Sequence, residues 1–271
     1  MGVNVKQLVN TIHSKKSFLC VGLDTDIQKL PAHFPKSIES IVDFNKAIID
    51  ATADLTAAYK INTAFYEQYG AAGWEVMAET LSYIPKDCFT IADAKRGDIG
   101  NTSSMYAKAF FENLRFDSIT VSPYMGEDSV RPFLESGKVV IVLALTSNKG
   151  SNDFQHLLCD GKPLYAHVLE SVNRWADADQ LMYVVGATRA EYLANIRKMV
   201  PENFLLVPGV GSQGGSLEDV VAYGMNSAVG LLVNSSRGII YASSGEDFGA
   251  VARLESLKLQ KPMETAINSL R

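Results

Sequence analysis

Asp93, Lys95 and Asp98 fall within six residues in the stretch IADAKRGDIGNTS (91–103), directly after an apolar run. Residues two apart on a strand face the same side, so a strand over 88–94 projects Asp93 and Lys95 together at its end. Asp98 then lies just beyond, in the loop before a helix starting near Asn101. A lysine between carboxylates has its protonated form favoured, because each negative charge makes proton loss costlier. That argues against a Schiff base, which needs a neutral amine. It suits a proton donor, or a cation held against developing negative charge. The aspartates also offer hard oxygens to magnesium, although the ammonium competes for them. A plainer alternative is a solvated ion-pair cluster at a helix start, with Asp98 near the helix dipole and Asn101 as the cap.

Two further apolar runs carry matching charges: Asp24 closes VGLD, and Lys60 closes AAYK. Each alone reads as a rim charge, but charges at three successive strand ends point to a shared site. PGVGSQGGS (208–216) satisfies G-x-G-x-x-G through Gly209, Gly211 and Gly214. As a dinucleotide fingerprint it is weak, since it comes late and no acid follows at the required distance, where the chain reads GLLVNSS. Bare amides in such a loop, beginning at Pro208, still suit a phosphate, and the next loop, NSSRG (234–238), adds Ser236 and Arg237. His13, His33, His156 and His167 show no metal-ligand spacing. Ser147 has no neighbouring base and reads as a polar contact.

These residues need a scaffold that brings strand ends together. Eight short apolar runs recur: 18–24, 56–62, 88–94, 117–122, 138–145, 181–186, 203–209 and 227–234. Between them lie stretches with helical spacing, such as 37–52, with Ile38, Ile41, Val42, Ile48 and Ile49 favouring one face, and 163–176. Strands separated by helices pair in parallel, which leaves a closed barrel or an open doubly wound sheet. Eight units favour the α/β (β/α)8 TIM barrel, whose strand ends form the rim where active sites are built and whose last two loops often bind phosphate. The segment 146–163 is the longest polar connection and reads as a lid or binding element. The chain from Glu246 on reads as helix.

With no linker or low-complexity tract, residues 1–271 are expected to form one barrel domain. The composition, 47% hydrophobic and 20% charged, is that of an ordinary globular protein with ample core. A net charge of −5 without a basic stripe argues against nucleic acid as a partner. Cys20, Cys88 and Cys159 stand far apart, which argues against zinc and disulfides and suggests reduced, buried thiols. The first residues lack a secretory profile, and the longest strongly apolar stretch, 139–145, is too short to span a bilayer. The expectation is a cytoplasmic protein without a membrane partner.

DAKRGDIGNTS resembles the D-x-K-x-x-D signature of the orotidine 5′-phosphate decarboxylases, and PGVGSQGG resembles their phosphate loop. The ordered set VGLD, AYK, DAKRGD, ALTS, PGVGSQGG and SSRGIIYA extends the resemblance over positions 21 to 242. The family implies conversion of orotidine 5′-phosphate to uridine 5′-phosphate, the last step of de novo pyrimidine nucleotide synthesis, with no cofactor and no metal. By resemblance, Lys95 donates the proton to the carbon that loses carbon dioxide, and Asp93 sits beside the departing carboxylate. Lys60 and Asp98 complete an alternating charge network. The resemblance places Asp24 on the ribose, Ser147 on the pyrimidine, and Gln213 and Arg237 on the phosphate, with Gln213 on a closing loop. It further implies a homodimer in which Asp98 and Thr102 reach into the neighbouring subunit's site. The long 146–163 segment and SSRGIIYASSG depart from the shorter members and resemble the longer bacterial class. A sister group with the same signature, magnesium-dependent enzymes of hexulose or ketogulonate phosphates, and a silent phosphate-ligand sensor are the alternatives.

Overall fold

The structure is a computed structural model that describes residues 4–186, 190–210 and 215–270. Eight parallel strands close into a barrel: β1 (Leu19–Gly22), β2 (Ala58–Asn62), β3 (Phe89–Arg96), β4 (Ser118–Val121), β5 (Val139–Leu145), β6 (Leu181–Val185), β7 (Phe204–Pro208) and β8 (Leu231–Ser235). They are joined in sequence order around the ring, and the last closes on the first through Leu19↔Val233 to Val21↔Ser235. All eight apolar runs are therefore strands of one barrel. Their near-continuous burial is what a sheet covered on both faces demands, with interior side chains inside and helices outside.

The covering helices bury one face each. In α2 (Glu39–Thr52), Ile41, Phe44, Ile48 and Ile49 turn inward. An additional helix, α1 (Val5–Lys15), precedes the barrel and starts on a reciprocal cap between Asn4 and Gln7. Thr11 donates to the Asp87 carbonyl, and the Lys15 ammonium donates to the carbonyls of Ala53 and Thr56 and pairs with Asp87. These contacts bind α1 to the segments leading into β2 and β3, at the end of the barrel opposite the strand C-termini. The chain after Glu246 forms the long helix Phe248–Ser269, tied to α2 by Arg253, which bonds the Ala51 carbonyl and pairs with Asp54.

Several local expectations change. The run 227–234 is not strand throughout: Asn226 and Val229 exchange backbone hydrogen bonds across a tight turn, and β8 begins only at Leu231. The helix after β3, α3 (Gly100–Ala107), is entered from Ile99 and has no side-chain cap, so Asn101 lies inside it instead of capping it. Segment 146–163 carries short regular elements, a 3-10 turn at Lys149–Asp153 and an antiparallel pair, Leu158–Cys159 with Lys162–Pro163. Cys20 and Cys88 are buried, but Cys159 is exposed on that hairpin. Among the described residues no helix is long and apolar enough to cross a membrane.

Candidate active site

A cavity of about 340 Å³ opens at the C-terminal ends of the strands. Most of its lining follows the two-residue alternation of inward-facing positions: Lys60 and Asn62 from β2, Leu206 and Pro208 from β7, Asn234 from β8 and Ser236 just past it; Asp93 and Lys95 join them from β3. One side is charged. Facing it, Leu143, Val184 and Leu206 contribute an apolar wall from β5, β6 and β7.

On the charged side the groups alternate in sign. Lys60 Nζ lies 3.1 Å from Asp24 Oδ1 and 3.0 Å from Asp93 Oδ2, and Lys95 Nζ lies 2.5 Å from Asp93 Oδ1. The Lys60 side chain is 5% exposed, whereas that of Lys95 is 45% exposed toward the mouth. Burial favours a neutral amine at Lys60, but Asp93 and Asp24 outweigh it and raise its pKa above the ordinary lysine value. Burial likewise pushes the Asp93 carboxyl up, yet the two ammonium groups overcome it and hold the acid well below the usual range. Beneath them, burial pushes the Cys20 thiol up to about 12 despite nearby Lys60, which leaves a protonated, unreactive group.

Asp93 and Lys95 meet as the sequence suggests, but not by plain alternation. Between Ala92 and Arg96 the register of β3 against β4 slips, and Lys95 has a left-handed backbone with φ of 48°. The Thr120 hydroxyl accepts from the Lys95 amide at 2.9 Å and donates to Asp93 Oδ1 at 3.1 Å, binding the bulge to the carboxylate.

Asp24 follows β1 in a turn held from below. Tyr66 donates to the Leu23 carbonyl, the Thr25 hydroxyl donates to buried Asn45, and Asn45 donates to the Tyr66 oxygen. The Tyr241 hydroxyl accepts from the Asp26 amide at 2.6 Å and donates to the Asp24 carbonyl at 3.3 Å. Ser147 reaches the cavity from the turn after β5, where the Gln155 side-chain oxygen accepts from the Thr146 amide at 2.8 Å. That turn lies against Gly186, where a Cβ would come within 2.7 Å of the Ser147 Cβ. Pro208, Gly209, Ser236 and Arg237 line the opposite part of the mouth. Gly209 has φ of 98°, a conformation open chiefly to glycine, and its carbonyl accepts from Gly215 to close the neck of the glycine-rich loop. Gln213, Gly211 and Gly214 lie outside the described residues.

Two candidates stand apart from this cavity. The Asp98 carboxylate accepts from the Ile99 amide at 2.7 Å, and Thr102 is exposed on α3; neither lines the cavity of its own chain. Sequence reasoning overlooked Asn62, Asn234 and the apolar wall. Asn62 lies two residues beyond Lys60, and Leu206 and Asn234 lie two before Pro208 and Ser236, so strand alternation carried a signal for each.

Residues 17–248 match the Orotidine 5′-phosphate decarboxylase / HUMPS family. The chain belongs to that family. An orotidine 5′-phosphate decarboxylase of Flavobacterium johnsoniae is 60% identical over 271 residues, covering 98% of this chain and 99% of the relative. Among solved structures, Leishmania donovani OMP decarboxylase superposes with a TM-score of 0.86 at 36% identity, covering 98% of this chain and 99% of its own. Leishmania donovani UMP synthase gives a TM-score of 0.87 at 38% identity, and the match spans 98% of this chain but 56% of that longer one. Family membership thus agrees with the resemblance carried by the DAKRGD and PGVGSQGG motifs.

Proposed function

We propose that this member of the decarboxylase family removes carbon dioxide from orotidine 5′-phosphate to give uridine 5′-phosphate, without a metal or cofactor. The observation that carries this reading is the alternating row Asp24–Lys60–Asp93–Lys95 facing an apolar wall at the barrel mouth. When the bond from the ring carbon to the carboxylate breaks, its electron pair stays on a carbon with no carbonyl placed to accept it. A preorganised ammonium answers that charge, and Lys95 then transfers a proton to the carbon and regains one from water. Asp93, beside the departing carboxylate, disfavours the charged ground state while keeping Lys95 in register.

Asp24 is assigned to the ribose, Ser147 to the pyrimidine, and Pro208, Gln213, Ser236 and Arg237 to the phosphate. Gripping the remote phosphate supplies binding energy that assembles the site around the ring. The fit to a divalent cation is poor: both oxygens of Asp93 and one of Asp24 already face ammonium groups. The working unit in this reading is a cytoplasmic homodimer, with Asp98 and Thr102 completing the partner's site. Their position outside their own cavity, next to exposed Ile99 and Met105, supports that assignment.

The test is to mix the purified protein with orotidine 5′-phosphate and follow loss of the substrate's ultraviolet absorbance, with and without a chelator. Equal turnover in both is expected. No turnover of this substrate, together with chelator-sensitive activity on a hexulose phosphate, would replace the reading with that of the magnesium-dependent sister group.

A further inference from the structure

Lys95 cannot owe its aim to regular strand geometry. From Ala92 to Arg96 the chain advances four residues on β3 while the partners on β4 advance two, Ile119 to Val121, and Lys95 sits at φ of 48° within the slip. A non-glycine residue there costs about 1–2 kcal/mol and persists only where neighbouring groups impose it. The Thr120 hydroxyl takes the Lys95 amide, and the Arg96 carbonyl accepts from the Ser122 amide at 2.8 Å. The remaining restraint comes from the Arg96 side chain. Its Nη1 turns back to the Ala94 carbonyl at 3.0 Å, closing a ring around the backbone that carries Lys95.

The guanidinium is itself held in place. Nη2 pairs with the carboxylate of Glu67, on the short helix Ala64–Glu67 after β2, and the group lies 5.3 Å from the Tyr106 ring and 5.4 Å from that of Phe110. A planar fork can bond a carbonyl, pair with a carboxylate and stack on two rings together; an ammonium cannot. We propose that Arg96, braced by Glu67, is a positioning residue that fixes the β3 bulge and so aims the Lys95 ammonium at the reacting carbon. This inference rests on the reading of Lys95 as proton donor and extends it to two residues outside the cavity lining.

The experiment compares Arg96→Lys, Glu67→Gln and Lys95→Ala with the unaltered protein. It measures kcat and KM for orotidine 5′-phosphate, uridine 5′-phosphate affinity by calorimetry, and thermal melting. A misaimed proton donor affects the chemical step and leaves nucleotide binding intact. Arg96→Lys is therefore expected to lower kcat by at least about tenfold with uridine 5′-phosphate affinity held within about twofold. Glu67→Gln, which keeps the carbonyl and ring contacts of Arg96, is expected to show the same pattern more weakly, and it provides the reading if Arg96→Lys fails to fold. Unchanged kcat in the folded variants, or a loss matched by equal loss of affinity, would overturn the inference. An inactive Lys95→Ala beside a fully active Arg96→Lys would overturn the inference alone. A fully active Lys95→Ala would remove the donor reading and the inference with it.

Discussion

Lys60 stands between the carboxylates of Asp24 and Asp93 with almost no access to water. Its raised pKa and the lowered pKa of Asp93 keep both groups ionised across the neutral range. The sign of the resulting pH dependence follows from linkage. A depressed carboxyl contributes stability that is present above its unfolded value, 3.8, and lost as pH falls through its lower folded value. Lys60 contributes stability present below 10.5 and lost as pH rises through its higher folded value. Replacing Asp93 leaves Lys60 with Asp24 alone, so Asp93→Asn should destabilise the fold at pH 7 by about 3 kcal/mol. In melting curves the gap between the variant and the unaltered protein should narrow as pH is lowered below about 4, where the carboxyl of the unfolded chain takes up a proton while the native one is still ionised. A gap independent of pH down to unfolding would contradict the assigned ionisation.

At the scale of elements, the periodicities legible in the sequence were those of regular structure. All eight strands, the helical faces and the clustering of Asp24, Lys60 and Asp93 follow from alternation and from the rule that strand C-termini form a common rim. The misses occur where side chains override the local pattern. Ser227–Gly230 reads as strand by composition, yet Asn226 and Val229 close a turn there. The bulge at Lys95 depends on Thr120 and Glu67, both more than 20 residues away, and the short motif gives no hint of it. Support for the Ser147 turn also lies outside the turn itself, in Gln155 and in the bare backbone at the far more distant Gly186. Gly186→Ala would force that turn outward, and an overpacking cost of about 1–3 kcal/mol sets the scale. Placed on the ligand side of the balance, it should raise KM for orotidine 5′-phosphate by about tenfold, with a smaller effect on kcat. Unchanged KM would remove the turn from the binding site.

At the scale of the whole molecule, each chain presents a charged row at the ends of β1–β3, an apolar wall on β5–β7 and, after β7 and β8, the residues proposed to grip phosphate, with Asp98 and Thr102 left outside. If those two complete a neighbouring site, then Lys95→Ala and Asp98→Ala break different components of a shared site. Unfolding and refolding the two inactive variants together would give mixed dimers with one intact site each, and about a quarter of the unaltered activity should return. No recovery from a mixture shown to contain mixed dimers would contradict a site shared between subunits.

The proposed role of the Lys95 ammonium, held by Asp93, is to supply the proton that replaces carbon dioxide. Its most direct test is the rate at which Lys95→Ala converts orotidine 5′-phosphate, measured alongside its affinity for uridine 5′-phosphate. A loss of turnover of at least about a thousandfold is expected, with the product still bound. Turnover near that of the unaltered protein would contradict that role.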